Sequence, residues 1–187
     1  GFSSITIGRT NGSGAIDIGS TTFTDPVTIQ SGGGGAITVT GALTAGSGNA
    51  ITIDAGSSSF TQNDFDIATG GGGDITITAD TIAIADNTGN NALSSTGALI
   101  LQPDTTGQTI GIATGSGTFS LSAAEIGDIA DGFSSITIGR SDSTGAIDID
   151  AITFTDPVTI RGGAITVTAL QAGNNNITLT STATIDE

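Results

Sequence analysis

The 187-residue chain contains no Cys, His, Met, Trp, Tyr or Lys, and each absence removes a class of chemistry. Without Cys there is neither a disulfide framework nor a thiolate metal site. Without His, Cys or Lys there is no catalytic triad, no cysteine-histidine dyad and no amine for a Schiff base. Seven Phe are the only aromatics and hydrophobic residues make up 36% of the chain, so a globular core centred on aromatics is not expected. No apolar run approaches the roughly 18 residues of a membrane span, and the opening GFSSITIGR lacks the basic and apolar segments of a signal peptide. The chain starts on Gly1 rather than Met, which suggests a segment of a longer protein. Cations are scarce too: three Arg stand against 18 carboxylates, for a formal charge of −15. Such a surface repels phosphate backbones and anionic lipid, so neither nucleic-acid binding nor membrane insertion is expected.

What is present is Gly, with 30 residues, and repetition. Charged residues are only 11% of the chain and mean hydropathy is +0.23, so the composition is not that of a disordered chain. GFSSITIGR at Gly1–Arg9 returns at Gly132–Arg140, 131 residues later. At the same offset, AIDI at Ala15–Ile18 returns at Ala146–Ile149, and FTDPVTI at Phe23–Ile29 returns at Phe154–Ile160. Gly32–Gly35 then shrinks to Gly162–Gly163 before AITVT recurs. We therefore divide the chain into a long unit, 1–131, and a partial second unit, 132–187, within a single segment 1–187.

A shorter rhythm runs inside the unit. Apolar-x-apolar triplets such as Ile5/Ile7, Ile16/Ile18, Val27/Ile29, Ile51/Ile53, Phe65/Ile67 and Leu99/Leu101 recur, most often every ten or eleven residues, with Gly, Asn, Ser, Asp and Pro between them. Alternation of β-branched residues marks short half-buried strands separated by turns. Strands this short can stack if each turn of chain lies on the previous one at the 4.7–4.9 Å spacing of paired strands. The reading is all-β, a parallel β-solenoid. Two triplets per turn predict coils of roughly 22 residues, about six per long unit and eight in the chain, in a rod about 40 Å long. A sandwich would show recurrent two-residue hairpin turns; Asn11-Gly12 is one such turn, but the pattern does not recur as a sandwich would require.

The triplets sort side chains by face. Ile, Val and Leu point inward; the middle residues Thr6, Asp17, Thr28, Thr38, Thr52, Asp66, Thr76, Thr137, Asp148, Thr159, Thr166 and Thr178 point outward. One segment breaks the rhythm: Ser122-Ala-Ala-Glu125 has the form of a capping box, and Ile126 and Ile129 fall on one helical face. One short helix near 123–130, stopping at Asp131-Gly132, is expected as a lid or insertion between coils.

ALILQP (Ala98–Pro103), QTIGIA (Gln108–Ala113), GAIDI, FTDPVTI and above all AEIGDIADGFSSITIGR (Ala124–Arg140) resemble the repeats of giant filamentous-haemagglutinin-like exoproteins of cyanobacteria and other Gram-negative bacteria. The resemblance covers nearly the whole chain. It implies a right-handed parallel β-helix, export to the cell surface and a role as a long adhesive or structural fibre, and it names no binding residues.

Chemistry-bearing residues are few. Asp64 and Asp66 flank Phe65, which on a strand would place both carboxylates on one face about 7 Å apart, loosely as in a glycosidase. Asp148 and Asp150 form a similar pair, but Gly19 replaces Asp150 in the first unit. Calcium fits the oxygen-rich chemistry better, although GGGGDITI (Gly70–Ile77) only approaches a calcium-helix repeat. Arg9, Arg140 and Arg161 are expected to pair with carboxylates on adjacent coils, with capture of acidic sugars as a lesser role. Phe2, Phe133, Phe23 and Phe154 read as core or corner fillers. The outward Thr ladder admits an ice-binding face, interrupted by Asp17, Asp66 and Asp148. The expectation is a non-enzymatic structural or adhesive segment of an extracellular fibre. It has no catalytic, cofactor or metal residues, and its partners are its own ends and surface glycans. The alternative is a calcium- or carbohydrate-binding surface module.

Overall fold

Strands with one apolar face must bury it, and a chain with too few aromatics to fill a wide core does so by keeping its opposite walls close and stacking like on like. The computed structural model describes residues 1–85 and 91–187 and is nearly all β, with parallel strands stacked into a β-solenoid of eight coils. The first four coils each carry three strands. They are β1 (Ile5–Arg9), β2 (Ile16–Ile18) and β3 (Thr21–Phe23); β4 (Val27–Ser31), β5 (Ile37–Val39) and β6 (Leu43–Ala45); β7 (Ile51–Asp54), β8 (Ser59–Asn63) and β9 (Ile67–Thr69); β10 (Ile75–Thr78), β11 (Thr81–Ala85) and β12 (Leu93–Ser94). The fifth holds β13 (Ala98–Gln102), β14 (Ile110–Ile112), β15 (Phe119–Leu121) and helix α1 (Ala123–Gly127). The last three hold β16 (Ser135–Gly139), β17 (Ile147–Ile149) and β18 (Ile152–Thr153); β19 (Val158–Gly162), β20 (Ile165–Val167) and β21 (Leu170–Gln171); β22 (Ile177–Ser181) and β23 (Ile185–Asp186).

The first strands of all eight coils form one continuous parallel sheet, β1-β4-β7-β10-β13-β16-β19-β22. Its register stacks Ile5, Val27, Ile51, Ile75, Leu99, Ile136, Val158 and Ile177 in one internal column. Those from Val27 to Val158 are at most 2% exposed, and each contributes roughly 1.5–3 kcal/mol by burial. Successive members of the column are 22, 24, 24, 24, 37, 22 and 19 residues apart. Ile5 and Ile136 stand at the same place in the two units with five coils between them, so the long unit has five coils and not about six. The difference comes from one coil of 37 residues and three of 24.

That long coil is where the other faces change. The second face is built from the sheets β2-β5-β8-β11 and β15-β14-β17-β20-β23, the third from β3-β6-β9-β12 and β18-β21. The fifth coil gives two strands to the second face: after β14 the chain turns through residues 113–118 and returns as β15, lying beside β14 on the side of β11. The return loop crosses the outer face of β14, where a Cβ on Gly111 would sit 2.2 Å from the Gly115 carbonyl oxygen. A triplet with Gly in its outward place, Ile110-Gly111-Ile112, marks the crossing.

Helix α1 closes the seam between β11 and β15. Its capping box forms as the sequence predicts: Ser122 Oγ accepts from the Glu125 amide at 3.2 Å, and Glu125 Oε2 accepts from the Ser122 amide at 2.8 Å. The other carboxylate oxygen, Oε1, accepts from the Ile84 amide of β11 at 3.0 Å, serving an edge that has no partner strand there. The helix is shorter than expected. It ends at Gly127 with Asp128 as its cap, because Ile129 forms a parallel bridge with Leu93 and carries the third face onward before Asp131-Gly132 is reached. The segment is thus an insertion within a coil rather than a lid between coils.

Candidate functional site

The first sheet presents the largest regular outer surface. Thr6, Thr28, Thr52, Thr76, Ile100, Thr137, Thr159 and Thr178 are in register along it. Asp17 and Asp148 lie on the second face, in β2 and β17, and Asp66 in a corner, so the interruption of this column is Ile100 and not the three Asp. The neighbouring column is mixed, with Gly8, Gln30, Asp54, Thr78, Gln102, Gly139, Arg161 and Thr180. This is a single row of Thr, not a paired array.

Gly8 and Gly139 show how the repeated motif ITIGR fixes backbone. Both have φ of +87°, a region that favours Gly, and a Cβ would lie 1.9 Å from the Gln30 carbonyl oxygen and 2.0 Å from that of Arg161, respectively. The two units build the same coil at this point.

The structure places the paired carboxylates of the sequence at a corner and beside a loop. Asp64, at φ +58°, falls beyond the end of β8, and Asp66 precedes β9, so the two do not project from one strand. Phe65 between them is 42% exposed and was expected inside; the inward places of this face go to Ile67 and Thr69. The corner is set by the buried Gln62, whose Nε2 donates to the Phe65 carbonyl while its Oε1 accepts from the Ala85 amide. Asp148 and Asp150 hold the loop after β14. Asp148 Oδ2 accepts from the Ser116 amide at 2.8 Å, and Asp150 accepts from the hydroxyls of Thr114 and Thr168.

Arg140 pairs with Asp142, two residues along its own loop: Nε donates to Oδ1 at 2.8 Å and Nη2 to Oδ2 at 2.9 Å. Its reach to the adjacent coil is to a carbonyl, that of Asp104, at 2.7 Å, whereas the expected partner was a carboxylate. Among the described residues Arg9 and Arg161 make no ion pair. The hydrogen-bonded Arg140 guanidinium holds the Asp142 carboxyl below the usual carboxylate range. Burial pushes the Asp104 carboxyl up, and the charges of Asp54 and Asp80 add to the rise. Arg140 and Arg161 flank an open groove of about 450 Å³, floored by Ile100, Thr137 and Gly139.

The Phe pairs divide by position. Phe133 and Phe154 are 2% and 1% exposed, whereas their counterparts Phe2 and Phe23, in the first coil, are 75% exposed and half-buried. Coils lie on both sides of the second pair and on only one side of the first.

Five polar or charged residues are buried in the described structure: Ser31, Gln62, Thr69, Ser143 and Asp156. The first four have their side-chain groups hydrogen-bonded, mostly to carbonyls at the corners. Asp156 Oδ1 accepts from the Gly132 amide at 3.0 Å, but Oδ2 is buried without a partner. Nothing in the spacing of FTDPVTI disclosed this burial. The Gly132–Asp156 contact, however, joins two motifs that recur together, GFSSITIGR and FTDPVTI.

Among the described residues no three acidic side chains converge on a metal-sized site, and no helix is long and apolar enough to cross a membrane. No family model, curated protein or solved structure matches the chain.

Proposed function

We propose that this chain is a non-enzymatic structural and adhesive segment of a large extracellular repeat protein of filamentous-haemagglutinin-like type, in which repetition supplies length. The observation that carries the reading is the continuous eight-strand sheet running through both sequence units, with the same positive-φ Gly in the same place in each. Each coil contacts mainly its neighbours, so stability and stiffness grow by addition of coils. The outer edges of β1 and β22 are unpaired in the chain, and Phe2, Ile7, Ile177 and Ile185 are exposed at the two ends. Such edges favour end-to-end association or continuation into further coils. Electron microscopy of the purified chain tests this: rods about 40 Å long, or multiples of that length rising with concentration, are expected. Compact particles of one size at every concentration refute it.

A carbohydrate- or calcium-binding module is the second reading, favoured by the groove between Arg140 and Arg161. Binding of acidic glycans on an array, lost in Arg161→Gln or in the presence of a chelator, would support it over a purely mechanical role.

A further inference from the structure

The first coil presents an open face whose fitting partner can be read from the chain itself, because the sixth coil repeats it. Residues 1–29 and 132–160 share one gapless register. In the second unit β16 and β17, the counterparts of β1 and β2, are covered by β13 and β14 of the fifth coil. In the first unit β1 and β2 are edge strands. Against them lies an open hollow of about 310 Å³, lined by Ile7, Ile16, Ile18, Phe23 and Ile29. Ile7 is 40% exposed, whereas Ile138 in the same place is fully buried.

Two positions show that the face is built to be covered. A Cβ on Gly145 would lie 1.9 Å from the Gln108 carbonyl oxygen of the fifth coil, so Gly is required there; its counterpart Gly14 has nothing within 4 Å and is Gly all the same. The Ser134 amide donates to the Gly97 carbonyl at 2.9 Å, and Ser3 stands in its place with no strand on that side. Two further positions show by which kind of coil. Arg140 Nη1 donates to the Asp104 carbonyl at 2.7 Å, and Asp148 Oδ2 accepts at 2.8 Å from the Ser116 amide in the return loop of the doubled coil. Their counterparts are Arg9 and Asp17. The second coil, which lies on a coil of the ordinary kind, has Ser31 and Thr38 there instead.

We infer that the open face of the first coil is a docking face for a coil of the fifth kind, the doubled 37-residue coil with its return loop and helix, carried by another length of the repeat. The inference rests on the reading of the chain as a stack extended by further coils, and it specifies which coil. A second copy of this chain does not offer that partner, since its fifth coil is already covered by its sixth. The end it does offer is the eighth coil. Asp148, Thr166 and Asp186 share one row of the second face, so an eighth coil stacked against the first would set Asp186 beside Asp17, like charge against like charge.

The test keeps the whole chain and joins a copy of residues 91–131 ahead of Gly1, so that Asp131 runs into Gly1 as it does into Gly132. A second chain carries a copy of residues 27–46, an ordinary coil, in the same place. Hydrogen exchange at Ser3 should slow about tenfold in the first, the equivalent of one hydrogen bond gained, and its urea midpoint should rise by more than that of the second. Asp17→Ala, without effect in the unjoined chain, should speed exchange at the joined copy of Ser116. Gly14→Ala, likewise silent in the unjoined chain, should lower the midpoint of the joined one. Equal gains from the two joined coils, or Asp17→Ala without effect in the joined chain, overturn the inference while the additive stack stands. No gain from either coil overturns both. Protection of Ser3 that appears in the unjoined chain as its concentration rises, and matches that in the joined chain, also overturns the inference, since the eighth coil of a second copy would then fill the face.

Discussion

Replacing Ile136 and then its neighbour Thr137 with Asp probes the stacking directly. Ile136 is 2% exposed and lies in the internal column between Leu99 and Val158. Removing it forfeits roughly 1.5–3 kcal/mol of apolar burial. Placing a carboxylate there adds a desolvation penalty of about several kcal/mol, or else forces the group to bind a proton. The two together reach about 5 kcal/mol or more, which rivals the net stability of about 5–15 kcal/mol usual for a folded domain. Thr137 is half-buried on the outer face, between Ile100 and Thr159. Asp there loses strand preference, about 1 kcal/mol at most. Far-UV circular dichroism with urea titration measures both. Ile136→Asp should lose its β spectrum or melt in two separate parts on either side of the damaged coil, while Thr137→Asp should unfold close to the wild type. Equal tolerance of the two, or the reverse order, would refute the assignment of inside and outside on which the eight-coil column rests.

Three further outcomes are expected. Gly139→Ala combines an unfavourable φ, about 1–3 kcal/mol, with a collision against the Arg161 carbonyl; it should lower the urea midpoint well beyond Gly48→Ala, where φ is also positive but nothing lies within 4 Å. Ser122→Ala should cost about 0.5–2 kcal/mol as a lost cap. Glu125→Ala should cost more because it also strands the Ile84 amide, and hydrogen exchange at Ile84 should accelerate only in the second variant. Asp148→Ala should release the loop after β14, seen as faster exchange of the Ser116 amide with little change in the overall unfolding transition.

The parallel stack was legible because β-branched alternation and a 131-residue repeat both survive in the residues themselves. Nearly every triplet from Val27/Ile29 to Phe119/Leu121 places its apolar pair inside. The third face was not legible, since strands such as Thr21–Phe23, Leu93–Ser94 and Leu170–Gln171 are too short and too polar to show alternation. Phe65 misled for the same reason: an apolar residue beside Ile67 looks like half of a triplet, and only the buried Gln62 reveals the corner. The carboxylates were visible as a composition but not as roles. Asp148 meets Ser116 and Asp150 meets Thr114 across more than 30 residues of chain, a closeness created by stacking alone. The capping box, by contrast, is local and was readable in full, while the helix's early stop depended on Leu93, far back along the chain.

Because the backbone hydrogen bonds of a parallel solenoid run along its long axis, tension applied at the two termini would open the sheet like a zip from an end. Each 22-residue coil set free would lengthen the chain by about 70–80 Å, and the 37-residue coil by about 120 Å. The molecule would then yield by increments under load, and the doubled coil, clasped by Asp148, Asp150 and Glu125, would give the longest of them.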